Sequence, residues 1–85
     1  MLNYVSNEKN HNRYGFVTSK QLGKAVVRNR IKRRLREATR TLHPRLSQGY
    51  DIVVIARPQL VEQPFWAVSR ILNELYRRAS LLEDK

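Results

Sequence analysis

Lys24-Ala25-Val26-Val27-Arg28-Asn29-Arg30-Ile31-Lys32-Arg33-Arg34-Leu35-Arg36 is the stretch from which the rest of the chain can be placed. Seven of its thirteen residues are basic, yet its apolar residues keep a helical spacing. Continued to Leu42, the pattern puts Val27, Ile31, Leu35, Ala38 and Leu42 on one side of a helix, a stripe able to face a core. Asn29, Arg33, Arg36 and Arg40 fall on the opposite side. Arg30 and Lys32 widen that side, and Arg28 and Arg34 flank the stripe. The spacing predicts a folded helix over about Ala25 to Leu42, stopped near Pro44 because proline biases His43 away from helical geometry.

Working outward, Leu2 to Ser6 and Tyr14 to Ser19 read as strands, the second antiparallel to the first. The polar run Asn7 to Asn12 joins them. Lys20 to Lys24, with Gly23, leads into the helix, and Gly49 marks the turn after it. Asp51-Ile52-Val53-Val54-Ile55-Ala56 is the clearest strand, and its continuous apolar character predicts cover on both faces. Pro64 suits the first turn of a second helix. Phe65, Val68, Leu72, Leu75, Ala79 and Leu82 then recur at spacings of three and four, predicting a helix to about Leu81. Trp66 cannot share a helix face with its neighbour Phe65, so one of the pair should be partly exposed. Arg70, Glu74 and Arg78 fall on one side. The order β-β-α-β-α predicts a single α+β domain over residues 1–85, a small sheet packed with helices. Three strands and two helices leave a thin core, so the sheet is expected to be incomplete as encoded.

Composition narrows the chemistry. The 85 residues carry 17 Lys and Arg against seven acids, a formal charge of +10. Twelve of the cations are Arg, which suits bidentate phosphate contacts. Cysteine is absent, which removes thiolate metal sites and a Cys nucleophile. No apolar run approaches a membrane span, and the start lacks the look of a signal peptide. We therefore expect a cytoplasmic protein with a polyanionic partner, no membrane and no obligate protein partner. His11 and His43 have no carboxylate at a suggestive spacing, the acids are scattered, and no phosphate-cradling glycine loop is present. The expectation is a binder with no catalytic residue, no metal ligand set and no organic cofactor.

The basic helix face admits a bland reading as solvated surface. Against it, Glu37 is the lone acid between Lys24 and Arg40, and the i,i+4 pairs Arg30/Arg34, Lys32/Arg36 and Arg36/Arg40 repel. Phosphates would relieve that repulsion, which favours polyanion binding. Asn29 either caps or hydrates backbone, or hydrogen-bonds a phosphate, sugar or base. Tyr4, Tyr14 and Phe16 lie on the first two strands; Phe16 reads as core, whereas an exposed Tyr could stack on an unpaired base.

Ser19 to Glu37, centred on Arg28-Asn29-Arg30-Ile31-Lys32-Arg33, resembles the signature of the bacterial ribonuclease P protein subunit. Gly49 to Pro58 resembles that family's following strand, and Arg77-Arg78-Ala79-Ser80-Leu81-Leu82 is similar to the end of its last helix. The resemblance implies a left-handed crossover between the strands flanking the basic helix, against the general right-handed rule. It implies the non-catalytic protein component of a ribonucleoprotein endoribonuclease, with catalytic RNA and precursor tRNA as partners and Mg²⁺ held mainly by RNA. Arg28, Asn29 and Arg30 match the motif, Lys32 and Arg33 extend it, and the outward Arg36 joins them as a catalytic-RNA contact. Tyr4, Lys20 and Arg57 match positions that line a cleft for the 5′ leader. The family usually begins with a further helix and strand that help line this cleft, so a shortened chain, a trimmed piece or a misassigned start is expected. Gln21 stands where a second Lys is common. A basic protein of another ribonucleoprotein, such as the ribosome, and a DNA-reading helix fit the charge pattern equally.

Overall fold

The computed structural model describes residues 1–82. Strands β1 (Leu2–Ser6), β2 (Arg13–Val17) and β3 (Tyr50–Ile55) and helices α1 (Ala25–Leu42) and α2 (Phe65–Arg78) follow one another in the expected β-β-α-β-α order. Short 3-10 turns at Lys20–Leu22, His43–Arg45 and Pro58–Glu62 make the connections. The sheet order is β1-β3-β2, with β3 antiparallel to β1 and parallel to β2.

β1 and β2 thus run in opposite directions, as expected, but they are not neighbours. The Asn7–Asn12 connection is too long for a two-residue hairpin turn, and β3 pairs between the two strands. Parallel strands cannot be joined by a tight turn, so α1 serves as the crossover from β2 to β3. The connection after β1 is held at its own level instead. Asn7 N donates to Gly49 O at 2.9 Å, and Lys9 N donates to Asn7 Oδ1 at 2.8 Å. Gly49 has φ +100°, and a Cβ there would sit 2.9 Å from Lys9 O, so both conformation and space require glycine.

Cover on both faces of β3 is not what the structure shows. Strand pairing puts Leu2, Tyr4, Tyr14, Phe16, Ile52 and Val54 on one face, and the helices cover this side. Val5, Val17 and Val53 lie on the other and are exposed. The β-branched run reflects a central strand paired along both edges, not one layered on both sides. On the open face Arg13 holds Asp51 through two hydrogen bonds, 2.8 and 2.6 Å, and Asn7 adds a third at 2.9 Å. The guanidinium, then the Asn7 amide, hold the Asp51 carboxyl well below the usual carboxylate range.

The core forms between that helical face and the two helices. Ile31, Leu35, Ala38 and Leu42 of α1 meet Val68, Leu72 and Tyr76 of α2, with Ile52 and Val54 beneath. Val27, the first residue of the expected stripe, is only half-buried. Tyr76 is completely buried, and its Oη lies 3.0 Å from Thr39 Oγ1, an internal pair between the helices. Burial pushes the Tyr76 phenol up to about 12. α2 stops at Arg78 instead of near Leu81. Ser80 takes φ +61°, Leu81 N donates to Tyr76 O and Ser80 N to Arg77 O, a Schellman closure with serine where glycine is usual. Leu81 and Leu82 are still buried, because the turned chain folds back so that Leu82 bridges Leu46. At the other end of α2, Phe65 and Trp66 are both exposed, so burial begins at Ala67 and Val68.

Candidate nucleic-acid interface

α1 positions the cations. Its buried stripe fixes the helix against the core, and a period of 3.6 residues then turns Asn29, Arg30, Arg33, Arg36 and Arg40 outward, all exposed. Lys32 is half-buried beside them. Arg34 is drawn aside, its Nη1 donating to Gln63 O at 2.8 Å, which ties α1 to the start of α2. Arg28 also flanks the stripe and its Nε is buried without a partner among the described residues. Arg40 pairs with Glu37 at 2.7 Å, the lone acid on this face. Arg30, Lys32, Arg33 and Arg36 make no hydrogen bond or ion pair among the described residues, so four cations stand ready for an external anion.

The amino end of α1 adds to the same field. Lys24 occupies the N-cap without a side-chain cap, and the first turn holds no acid. The positive end of the helix dipole is therefore left uncompensated beside Lys24 and Arg28. Because β2 and β3 are parallel, Lys20 and Arg57 leave the sheet at the same end, where the turns that carry them meet. Both side chains are exposed. Tyr4 is not with them. It pairs opposite Ile52, five residues short of Arg57 on β3, roughly 16 Å down the sheet at the usual rise per residue. Its exposed ring meets that of Tyr50 edge-on at 5.8 Å. Arg57 borders an apolar hollow of about 500 Å³ between the β1–β3 edge and α2, lined also by Leu2, Val54, Leu60 and Leu72. Tyr4 shares a sheet face with Leu2, whereas Lys20 does not line the hollow.

At the other end of α1 the structure gathers residues that spacing did not connect. Tyr14, Phe16, Lys32, Arg36, Thr39, Arg40 and His43 line a second groove, of about 430 Å³, between α1 and the free edge of β2. Tyr14 Oη is 2.7 Å from His43 Nδ1 and accepts from Asn12 Nδ2 at 3.1 Å. Asn12, buried, also donates to Ser47 O and accepts from Tyr50 N. Burial pushes the Tyr14 phenol up, while the Asn12 hydrogen bond pulls it down. Tyr14 and His43 are 29 residues apart, so only the crossover, which returns α1 along β2, could have disclosed the pair.

Among the described residues, no three His, Asp or Glu side chains gather as a metal site, and no helix is long and apolar enough to cross a membrane. What the arrangement offers is phosphate neutralisation along a rigid helix, with aromatic rings beside it.

These features define a class: a small basic α+β domain whose longest helix turns a cationic face outward. A sequence model of the Ribonuclease P family matches residues 1–80, and the chain belongs to that family. It is 56% identical over 71 residues to the ribonuclease P protein component of Symbiobacterium thermophilum, covering 84% of this chain and 62% of that protein. A Roseiflexus ribonuclease P protein component is 48% identical over 84 residues, covering 98% and 69%. Among solved structures, the RNase P protein of Thermotoga maritima superimposes with a TM-score of 0.84 at 34% identity, over 91% of this chain and 74% of that one. That of Staphylococcus aureus gives 0.87 at 31%, over 96% and 75%. The chain thus spans about three-fifths to three-quarters of the length of these relatives.

Proposed function

We propose that the chain acts as the protein subunit of ribonuclease P, binding the catalytic RNA and assisting endonucleolytic removal of the 5′ leader from precursor tRNA in the cytoplasm. The observation that carries this reading is the outward face of α1, where Arg30, Lys32, Arg33 and Arg36, at the end of the Arg28-Asn29-Arg30 segment and just beyond it, have no partner among the described residues. Each phosphate contact there releases counterions, so affinity comes from charge and the rigid helix sets its geometry. Asn29 supplies a neutral donor and acceptor among the guanidinium groups, suited to a sugar hydroxyl or base edge. Arg28 serves at the margin of this face.

Chemistry is assigned to the RNA partner. Among the described residues no nucleophile, base and orienter come together, and no group of three His, Asp or Glu side chains could hold Mg²⁺. Mg²⁺ is therefore assigned to RNA and substrate phosphates, and no step is routed through a metal on the protein. The protein's contribution is positioning: Lys20 and Arg57, at one end of the sheet, take leader phosphates, and Tyr4 offers a stacking surface further along. A leader of several nucleotides spans that separation.

The test mixes the purified chain with a bacterial ribonuclease P RNA and end-labelled precursor tRNA at low Mg²⁺ and scores leader release. Stimulated cleavage supports the reading. No stimulation by this chain, or by a version extended upstream, overturns it in favour of another RNA assembly.

A further inference from the structure

The groove between the carboxyl-terminal half of α1 and the free edge of β2 borders the core, against which Tyr14 and Phe16 pack on one side, and includes none of the leader-binding residues. We propose that it holds one unpaired nucleotide of the catalytic RNA, the base against Tyr14 and Phe16 and the phosphate on Lys32 and Arg36. The proposal rests on the RNA-binding reading of α1 and extends it from phosphate contact to base contact.

Three observations carry it. First, the groove is amphipathic in the sense a nucleotide requires: two aromatic rings on the β2 side, cations on the α1 side. Lys32 and Arg36 have no partner among the described residues, whereas Arg40 at the margin is engaged by Glu37. Second, its volume of about 430 Å³ lies within the ~300–1,000 Å³ range of small-ligand sites, room enough for one nucleotide. Third, the platform is held before anything binds. Tyr14 is anchored through its hydroxyl by Asn12 and His43, and the His43 ring meets it edge-on at 5.7 Å. A fixed ring loses little freedom on stacking, which is how preorganisation raises affinity. The occupant is unpaired because a base within a duplex offers no free face to Tyr14 or Phe16.

The position also separates this groove from the leader end. α1 has 18 residues and spans about 27 Å, with Lys20 near its start and His43 at its close.

The test uses the full chain and two readouts. A ¹⁵N-labelled sample is titrated with a single-stranded pentameric oligoadenylate and with a short RNA duplex. Separately, Phe16→Leu, which keeps an apolar side chain on β2, is compared with the unmodified chain for binding to ribonuclease P RNA across a salt series. We expect the pentamer, not the duplex, to shift the amides of Tyr14, Phe16 and Thr39 to His43. Phe16→Leu should weaken RNA binding about 10-fold with an unchanged salt slope, since losing a stacked base releases no counterion. Unmoved resonances, equal response to the duplex, or affinity within twofold of the unmodified chain would overturn the proposal. If Phe16→Leu fails to fold, the titration of the unmodified chain decides alone. Cleavage stimulation with an indifferent groove sinks this inference and leaves the ribonuclease P reading standing; a groove that responds to the pentamer while neither this chain nor an extended one stimulates cleavage overturns both the ribonuclease P reading and the catalytic RNA as the occupant.

Discussion

Replacing Arg33 with Gln removes one charge from the outward face of α1 and keeps the helix, because Gln is nearly as good a helix former and the site is exposed. If the four unpaired cations Arg30, Lys32, Arg33 and Arg36 each meet one phosphate, log K should fall against log salt with a slope of about −2.8 to −3.6, at ~0.7–0.9 per contact. Between ~50 and ~200 mM salt that amounts to about a 50–150-fold loss of affinity. With three contacts the slope becomes about −2.1 to −2.7 and the loss about 20–40-fold, so the two proteins should differ most at low salt and converge as salt rises. Fluorescence anisotropy with labelled ribonuclease P RNA over four salt concentrations measures both slopes. Arg78→Gln is the control. Arg78 is as exposed but lies on α2 and is paired with Glu74 at 3.1 Å, so its removal should leave the slope unchanged. A slope unaltered by Arg33→Gln would show that Arg33 is only solvated, and equal changes in both variants would show that total charge, not the α1 face, sets affinity.

Further outcomes follow from individual contacts. Tyr4→Ala should weaken binding of leader-bearing precursor and spare mature tRNA; equal losses for both would remove Tyr4 from the leader site. Thr39→Val strands the Tyr76 hydroxyl in the core and should destabilise by about 1–3 kcal/mol, with Tyr76→Phe added on top restoring part of the loss, as read in urea unfolding of the two singles and the double. A double no more stable than Thr39→Val alone would deny the coupling. Asp51 has its folded pKa lowered, so its contribution is complete above the unfolded value of ~3.9 and is lost as pH falls below it. Thermal midpoints from pH 7 to 2 should therefore drop more gently for Asp51→Asn than for the unmodified chain, and parallel curves would contradict the ion-pair account. Tyr76 has its folded pKa raised, so its contribution is complete below the unfolded value of ~10 and is lost as pH rises towards 12. Tyr76→Phe should flatten that alkaline limb, and an unchanged limb would place the titration elsewhere.

How much of this was legible depended on how local each signal is. The bounds of α1, Ala25 and Leu42, follow from a strict 3.6 period and from Pro44, features contained within a few turns. The end of α2 did not, because Leu82 continues the helical spacing while Ser80, a residue with no special call on positive φ, turns the chain. Tyr76 was passed over although it stands one turn beyond Leu72 on the same face, a spacing that would have disclosed it. Strand order was hidden for a different reason: β3 enters between β1 and β2 from some forty residues away, and no turn residue encodes that. The charged face of the interface was plain from the helix wheel. Its groove was not, since Tyr14, Asn12 and His43 meet only once the crossover has formed.

One helix therefore carries two opposed demands. Its outward cations repel one another at i,i+4 spacing, which weakens any such helix in isolation. Ile31, Leu35 and Ala38, fully or almost fully buried, offset that repulsion by packing on α2 and the sheet. The two sets of residues alternate along the same eighteen positions, so the repulsive face is held open by the attractive one. A bound polyanion relieves the repulsion without touching the stripe, and by linkage it stabilises the folded chain in proportion to how tightly it binds. Binding and folding thus draw on different faces of α1, which is why a charge can be removed from Arg33 with the fold intact while the same helix cannot lose Ile31 from its core.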